Sequence, residues 1–303
     1  MKKFAPLPRL PLALLLVCLA WSPLSHAREG DGGKAAQIRV KGSDTLNKLL
    51  KEWARIYKNI QPHVVVEVTG GGSGNGIASL INGHTDIASS SRPLRTRELH
   101  LFTKKFNDIV PVGQVVALDA VSVVVHASNP LNGISLHTLM GIYGKGGKNP
   151  AWSDLNVQVP GCQDQKILPL SRKNNSGTYA FFRQTILKNQ QEHFDPQMIS
   201  MDGSDALISM VEQFPCAIGY SGMAFITSKV KTLCISQGQG HNAPCVPPTA
   251  ASVLNKTYPL ARSLYLYTLG SPQGEVKHFL EWIQGPEARE ILLRTGYVPP
   301  LQG

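Results

Sequence analysis

The sequence predicts an α/β protein built as two lobes around a cleft, and three observations carry that reading. Four times along the chain an apolar, strand-like run gives way to hydroxyl-bearing residues and then to a helical pattern. In open α/β sheets such turns gather at the carboxyl ends of parallel strands, where ligands bind. The apolar stretch from Ile109 to His126 is too long for one strand, which places a crossover between lobes at Leu118-Asp119-Ala120. A return crossover is read at Ala217-Ile218-Gly219-Tyr220.

The N-terminus stands outside this fold. Lys2, Lys3 and Arg9 precede an apolar run from Leu10 to Trp21, closed by the small residues Ser25 and Ala27 around His26. This is the form of a secretory signal peptide, residues 1–27, too short to span a bilayer. Val17 before Cys18 is too large for a lipoprotein box, so cleavage after Ala27 is expected, giving an exported, soluble chain. The formal net charge of +10 is spread along the sequence, which suits attraction of small anions and equally suits simple solubility. An exported chain with no basic helix and no interleaved arginines and aromatics is a poor nucleic-acid binder.

After a leader at 28–35, Ile38-Arg39-Val40 reads as the first strand. Gly42-Ser43-Asp44-Thr45-Leu46 then opens a helix, capped by Ser43 or Asp44, with Leu46, Leu49, Leu50, Trp53, Tyr57 and Ile60 on its apolar face. Val64–Val68 is a buried strand running into Gly70-Gly71-Gly72-Ser73-Gly74-Asn75-Gly76, with a helix through Ile77, Leu80 and Ile81 behind it. The glycine loop contains no dinucleotide fingerprint and no Walker lysine, and it misses the nucleophile elbow by its last glycine. What remains is a backbone nest around one hydroxyl, Ser73, suited to a small oxyanion. Asp86-Ile87-Ala88 is a third strand, followed by Ser89-Ser90-Ser91-Arg92-Pro93 and a helix from Thr96 to Lys105.

Residues 130–219 read as a second α/β unit, with helices near 135–143 and 204–213 and a surface loop at 144–150. That loop has Ile142 where a phosphate loop needs its first glycine. The most informative stretch is Ser171-Arg172-Lys173-Asn174-Asn175-Ser176-Gly177-Thr178-Tyr179, between the apolar run at 167–170 and a helical pattern through Phe182 and Ile186. Ser176 is a good N-cap, and Gly177 removes bulk where the first free N–H groups point outward. Such a helix start offers an anion N–H donors, hydroxyls and the positive end of the dipole, and Arg172 adds a fork that grips two oxygens. The competing reading is that Ser176 does no more than cap a helix. The tail returns to the first lobe through a strand at 262–269 and helices at 272–284 and 286–294. The expected division is 28–120 plus 220–303 for one lobe and 121–219 for the other.

Four cysteines follow the signal: Cys162, Cys216, Cys234 and Cys245. Export favours two disulfides, with three pairings open; Cys234–Cys245 closes a short loop and leaves Cys162–Cys216. No Cys-x-x-Cys pair points to zinc or redox chemistry. The histidines are scattered, with no His-Glu-x-x-His, no His-x-His and no carboxylate cluster near the four loops. A secreted phosphomonoesterase would need an activated nucleophile or metals, so no catalytic residue, metal or cofactor is expected.

In order, Gly-Ser-Asp-Thr at 42–45, Gly-Gly-Gly-Ser-Gly-Asn-Gly-Ile at 70–77, Asp-Ile-Ala-Ser-Ser-Ser-Arg-Pro-Leu at 86–94 and Arg-x-x-x-Ser-Gly-Thr at 172–178 resemble the periplasmic phosphate-binding proteins of phosphate-specific ABC importers. The resemblance covers the whole mature chain. It implies an α/β type II periplasmic-binding fold, two lobes joined by two crossover strands, with the ligand enclosed by hinge closure. It further implies a periplasmic monomer that binds inorganic phosphate and delivers it to permease subunits in the inner membrane. The residues it assigns to phosphate are Thr45, the Leu46 N–H, Ser73, Ser91, Arg172, Ser176, Gly177 and Thr178, with Ser43, Gly74, Ser90, Arg92 and Asn175 in a second tier. Two positions depart from the family: Ser91 replaces an aspartate that accepts the P–OH hydrogen bond, and Asn174 an aspartate that pairs with the arginine. A serine does not repel a fully ionised dianion, which leaves sulfate, molybdate and tungstate as alternative ligands. A desolvated dianion needs nearly every lone pair met, and these groups supply about ten donors at roughly 1.5–3 kcal/mol per charge-assisted bond before association costs.

Overall fold

Strand β1 (Ala36–Gly42) alternates buried Ile38 and Val40 with exposed Gln37 and Arg39, and helix α1 (Asp44–Ile60) covers it with Leu46, Leu49, Leu50, Trp53 and Tyr57. Ile60, expected on that apolar face, is exposed at the frayed end. Strand β2 (Val64–Thr69), helix α2 (Ser73–Ile81), strand β3 (Ile87–Ser90) and helix α3 (Thr96–Lys105) follow, with β1 parallel to both β2 and β3. The computed structural model describes Met1 and residues 35–107, 109–147, 151–187, 193–238 and 244–301. The expected signal peptide at 1–27 and leader through residue 34 lie outside the described residues, apart from Met1.

Strand β4 (Pro111–His126) is one unbroken strand of 16 residues, where the sequence predicts two strands and a break at Leu118-Asp119-Ala120. It reaches this length by changing partners. Its first part pairs antiparallel with β11 (Ala261–Leu269) through Ala120, and its last part pairs with β8 (Ala217–Gly222) and β9 (Val230–Ser236) from Val121 onward. Each half therefore has an ordinary length, and the crossover is a handover within a strand.

Between them lie β5 (Gly133–Ser135), α4 (Leu136–Tyr143), a 3₁₀ turn at Trp152–Leu155, β6 (Leu168–Arg172), α5 (Gly177–Ile186), β7 (Ile199–Met201) and α6 (Ser204–Gln213). After β9 come β10 (Cys245–Val246), α7 (Ala250–Leu254) and, beyond β11, α8 (Gly274–Trp282) and α9 (Pro286–Arg294). The hydrogen-bonded path runs β2-β1-β3-β11-β4-β8-β6-β7, with β9 beside β4 joining β5 and β10.

One core gathers α1, β1 and β3 with Leu264, Leu266, Phe279 and Leu292 from the tail. A second is centred on Tyr143, Phe182 and Tyr220 and also takes Leu233, Ile235, Val253, Tyr258 and Leu260, while smaller clusters gather Leu170, Leu207 and Val211, and Ile77, Leu80 and Phe102. The return to the first core thus comes at Leu260–Ala261, well beyond the boundary at 220 read from the sequence. Tyr220 is part of the second core, its ring stacked 3.9 Å from that of Phe182. Disulfides join Cys162 to Cys216 and Cys234 to Cys245. Among the described residues, no helix is long and apolar enough to cross a membrane.

Candidate functional site

The four strand-to-helix turns meet. Strands β1 and β3 are parallel neighbours, so the turns after them and the start of α2 lie side by side, while the β6–α5 turn faces them from the second core. The Thr45 Oγ1 and Thr178 Oγ1, 133 residues apart, lie 2.9 Å from each other. The Ser73 Oγ lies 3.2 Å from the Ser91 Oγ and accepts from the Ser91 N–H at 3.0 Å. Gly177 closes the group: a Cβ there would overlap both the Ser73 Oγ and the Ser91 Oγ, so only a glycine lets the α5 start approach these hydroxyls. All five residues are buried.

The backbone clasps the same contact. The Gly74 N–H donates to the Asn175 carbonyl at 2.9 Å, and the Asn175 amide donates to the Gly71 carbonyl at 2.9 Å. Gly72 holds φ of 91° directly against Asn175, a turn that a side chain would block. Gly177 and Thr178 open α5, where N–H groups have no helical acceptor, and neither N–H has a backbone partner among the described residues.

A charge sits inside this ring that the sequence reading did not assign. Arg262 on β11 is buried; it donates to the Thr178 Oγ1 at 3.1 Å, the Thr45 Oγ1 at 3.2 Å and the Ser91 carbonyl at 3.2 Å. Its Nε and Nη2 both bond the Asp119 Oδ2, at 3.0 and 2.7 Å, and the two residues are register partners on β11 and β4. Burial pushes the Asp119 carboxyl above its ordinary value, and the Arg262 guanidinium pulls it back. The Tyr297 hydroxyl donates to the Thr45 carbonyl, and burial, with the Asp119 charge, raises its pKa and keeps it a donor. In the strand Ala261–Leu269, Arg262 falls on the buried phase with Leu264 and Leu266, but its pairing with Asp119 depends on the register of β11 on β4.

Other expected ligands are engaged elsewhere. The Arg172 guanidinium, expected to grip an anion, donates to the Asp44 carboxylate at 2.6 Å, the Ser204 Oγ at 2.9 Å and the Asp202 and Met201 carbonyls at 2.9 and 3.3 Å. Burial lowers its pKa, while Asp44 opposes that shift. Asp44 therefore supplies the countercharge that Asn174 does not. The Ser176 Oγ accepts from the Tyr179 N–H at 3.3 Å and so caps α5, which leaves its O–H free to donate. The Leu46 N–H is spent on the Ser43 carbonyl.

In the second tier, the Ser90 hydroxyl bonds the Arg92 backbone, and Arg92 turns away to form a two-pronged pair with Glu98 at 2.7 and 2.8 Å. The Ser43 N–H bonds Ser89, and its Oγ is buried with no partner among the described residues. The structure thus brings together Thr45, Ser73, Ser91, Gly177 and Thr178, adds Arg262, and places Arg172, Ser176 and Arg92 in supporting contacts.

A family model described as a PBP superfamily domain matches residues 27–287. The chain is 30% identical over 278 residues to the phosphate-binding protein PstS of Pseudomonas aeruginosa, covering 88% of this chain and 84% of that protein. It is 28% identical over 307 residues to protein SphX of Synechococcus elongatus, covering 99% and 88%. A substrate-binding protein of Clostridium perfringens solved with bound phosphate superimposes with a TM-score of 0.74 at 23% identity, over 87% of this chain and 99% of that one. An ABC-type phosphate transport receptor of Vibrio cholerae gives 0.67 at 24%, over 88% and 100%. These likenesses bear out the type II periplasmic-binding fold. The chain belongs to the PBP superfamily and, within it, to the family of PstS phosphate-binding proteins.

Proposed function

We propose that the chain binds inorganic phosphate and hands it to the permease subunits of an ABC importer. The observation that carries this reading is the meeting of two hydroxyl pairs, Thr45 with Thr178 and Ser73 with Ser91, beside one buried guanidinium, Arg262, which bonds both threonine hydroxyls and the Ser91 carbonyl. Neutral donors around a single cation suit an oxyanion that must leave its water behind, since each lone pair needs a partner. The relatives' own names support phosphate as that anion.

In this reading the contacts come from the four hydroxyls, the Gly177 and Thr178 N–H groups and Arg262. Arg172 adds charge from behind Asp44, and Leu46, Ser176 and the second-tier residues shape the loops. The two cores act as lobes, with β4 and the 260–261 return as the hinge between them. The protein works without catalysis, metal or cofactor, as an exported periplasmic monomer freed of residues 1–27.

Titration calorimetry with orthophosphate tests this directly. Stoichiometric, tight binding is the expected result, and its absence in the folded protein overturns the reading. A parallel assay with a chromogenic phosphomonoester and divalent metals should show no turnover.

A further inference from the structure

Outside the hydroxyl ring, on the far side of the Gly74–Asn175 contact, lies an open cavity of about 610 Å³. Arg92, Arg95, Arg97 and Arg183 all line it, from α3, its approach and α5. Its lining holds one carboxylate, Glu98, and that group is consumed by the Arg92 pair. Arg183 touches the His193 Nδ1 at 3.3 Å, and among the described residues neither Arg95 nor Arg97 has an acidic partner within ion-pair distance. Among the described residues, three guanidiniums, of Arg95, Arg97 and Arg183, therefore line one cavity without a salt bridge of their own. They are near enough to repel: burial first, then the charge of Arg92, with smaller contributions from Arg97 and Arg183, hold the Arg95 guanidinium below its ordinary value, against the opposing pull of Glu98.

Like charges gathered on a concave wall cost stability unless an anion joins them, and guanidinium forks match phosphate oxygens two at a time. The volume lies in the range of small-molecule sites, with room for more than one phosphoryl group. The amides of Asn174 and Asn175 add neutral donors at one end, while Ile81 and Leu101 give an apolar wall at the other. Arg95 and Arg183 are half-buried in the cavity wall, which suits a slender ligand better than a broad protein surface.

We propose that this cavity is a second anion site, distinct from the orthophosphate ring, which takes a linear chain of condensed phosphates. Such a chain arises free or as the tail of a nucleoside polyphosphate, and both present the same bridged phosphoryl groups. The site goes beyond the orthophosphate reading and stands or falls separately from it.

The test is calorimetric titration of the full mature protein, with and without saturating orthophosphate, using tripolyphosphate in one arm and adenosine triphosphate in the other. The expected result is binding of tripolyphosphate that persists in orthophosphate, and that weakens at least tenfold in the Arg95→Gln/Arg183→Gln variant. Tighter binding of adenosine triphosphate would assign the apolar wall to the nucleoside, and equal or weaker binding would assign the site to the bare chain. Arg92 is left intact because its pair with Glu98 belongs to the fold, and the orthophosphate affinity of the variant reports its folding independently. A Lys104→Gln/Lys105→Gln control removes the same charge from the other end of α3 and should retain binding. No binding in orthophosphate, or equal losses in variant and control, overturns the proposal.

Discussion

Asp44 and Arg172 stand 128 residues apart, and the Arg172 Nη2 donates to the Asp44 Oδ2 at 2.6 Å. The other carboxylate oxygen accepts from the Gly71 N–H at 2.8 Å. One side chain at the start of α1 thus holds the α2 turn and the end of β6 together. The guanidinium is 1% exposed, so its countercharge is essential to its burial. Asp44→Asn is expected to destabilise the protein by about 3 kcal/mol, the low end for breaking a buried pair. Phosphate should then raise the melting temperature more in the variant than in the wild type, because the anion replaces the missing charge. Equal shifts in thermal denaturation would place Arg172 beyond the ligand's reach.

Arg262 and Asp119 separate folding from binding. Arg262→Met leaves Asp119 buried and unpaired, at a cost of about 3–5 kcal/mol. Adding Asp119→Leu should recover most of that stability in urea titrations. Phosphate affinity should stay reduced about 100-fold or more in both variants, about 2.8 kcal/mol, as read by calorimetry. A double variant that binds normally would remove Arg262 from the site.

Gly177→Ala places a methyl group against the Ser73 and Ser91 hydroxyls. The overlap forces the turns apart, so the melting temperature should fall and phosphate binding should weaken at least about tenfold, about 1.4 kcal/mol, in protein that is still folded at the assay temperature. A variant with unchanged affinity would mean that the turns need not touch for binding.

Ser91 can accept a hydrogen bond from a protonated oxyanion without repelling an unprotonated one. Wild-type protein should therefore be competed by sulfate to a measurable degree near neutral pH. Ser91→Asp should widen the gap between phosphate and sulfate affinity in competition calorimetry. An unchanged ratio would show that selectivity is set elsewhere in the ring.

Glu98 gives the stability a pH dependence. Burial pushes its carboxyl up, but hydrogen bonds from Arg92 and the Arg95 N–H, with their charges, win and hold it below the ordinary value. A carboxylate depressed by folding contributes stability above its unfolded pKa of about 4.3, and loses it as pH falls through the folded value. Glu98→Gln should be less stable than wild type by a constant amount above about pH 5, with the gap closing below about pH 4. Denaturant midpoints across that range check this, and a gap that persists in acid would show that the ion pair is not its source.

The hydroxyl ring was legible in the sequence because its members sit in strand-to-helix turns, where residue type and position carry the chemistry together. Ser73, Ser91, Gly177 and Thr178 could be read this way without knowing which strands were neighbours. Arg262 and Asp119 could not, since each looks like a lone charge in an apolar run until the register of β11 on β4 is known. Asp119 was accordingly read as a break in the strand that it electrostatically completes. Arg172 was visible in its motif, but its partner Asp44, 128 residues away, was not. Apolar residues such as Leu233 and Tyr258, which pack with Tyr143 and Phe182, do not announce in the sequence which core they enter.

Strand β4 has a mechanical consequence. Because its 16 residues carry both halves of the sheet, neither half can melt without stripping hydrogen bonds from a backbone the other half still needs. The chain should therefore denature as a single calorimetric event, its van't Hoff and calorimetric enthalpies agreeing, and the amides around Ala120 and Val121 should be among the last to exchange with deuterium.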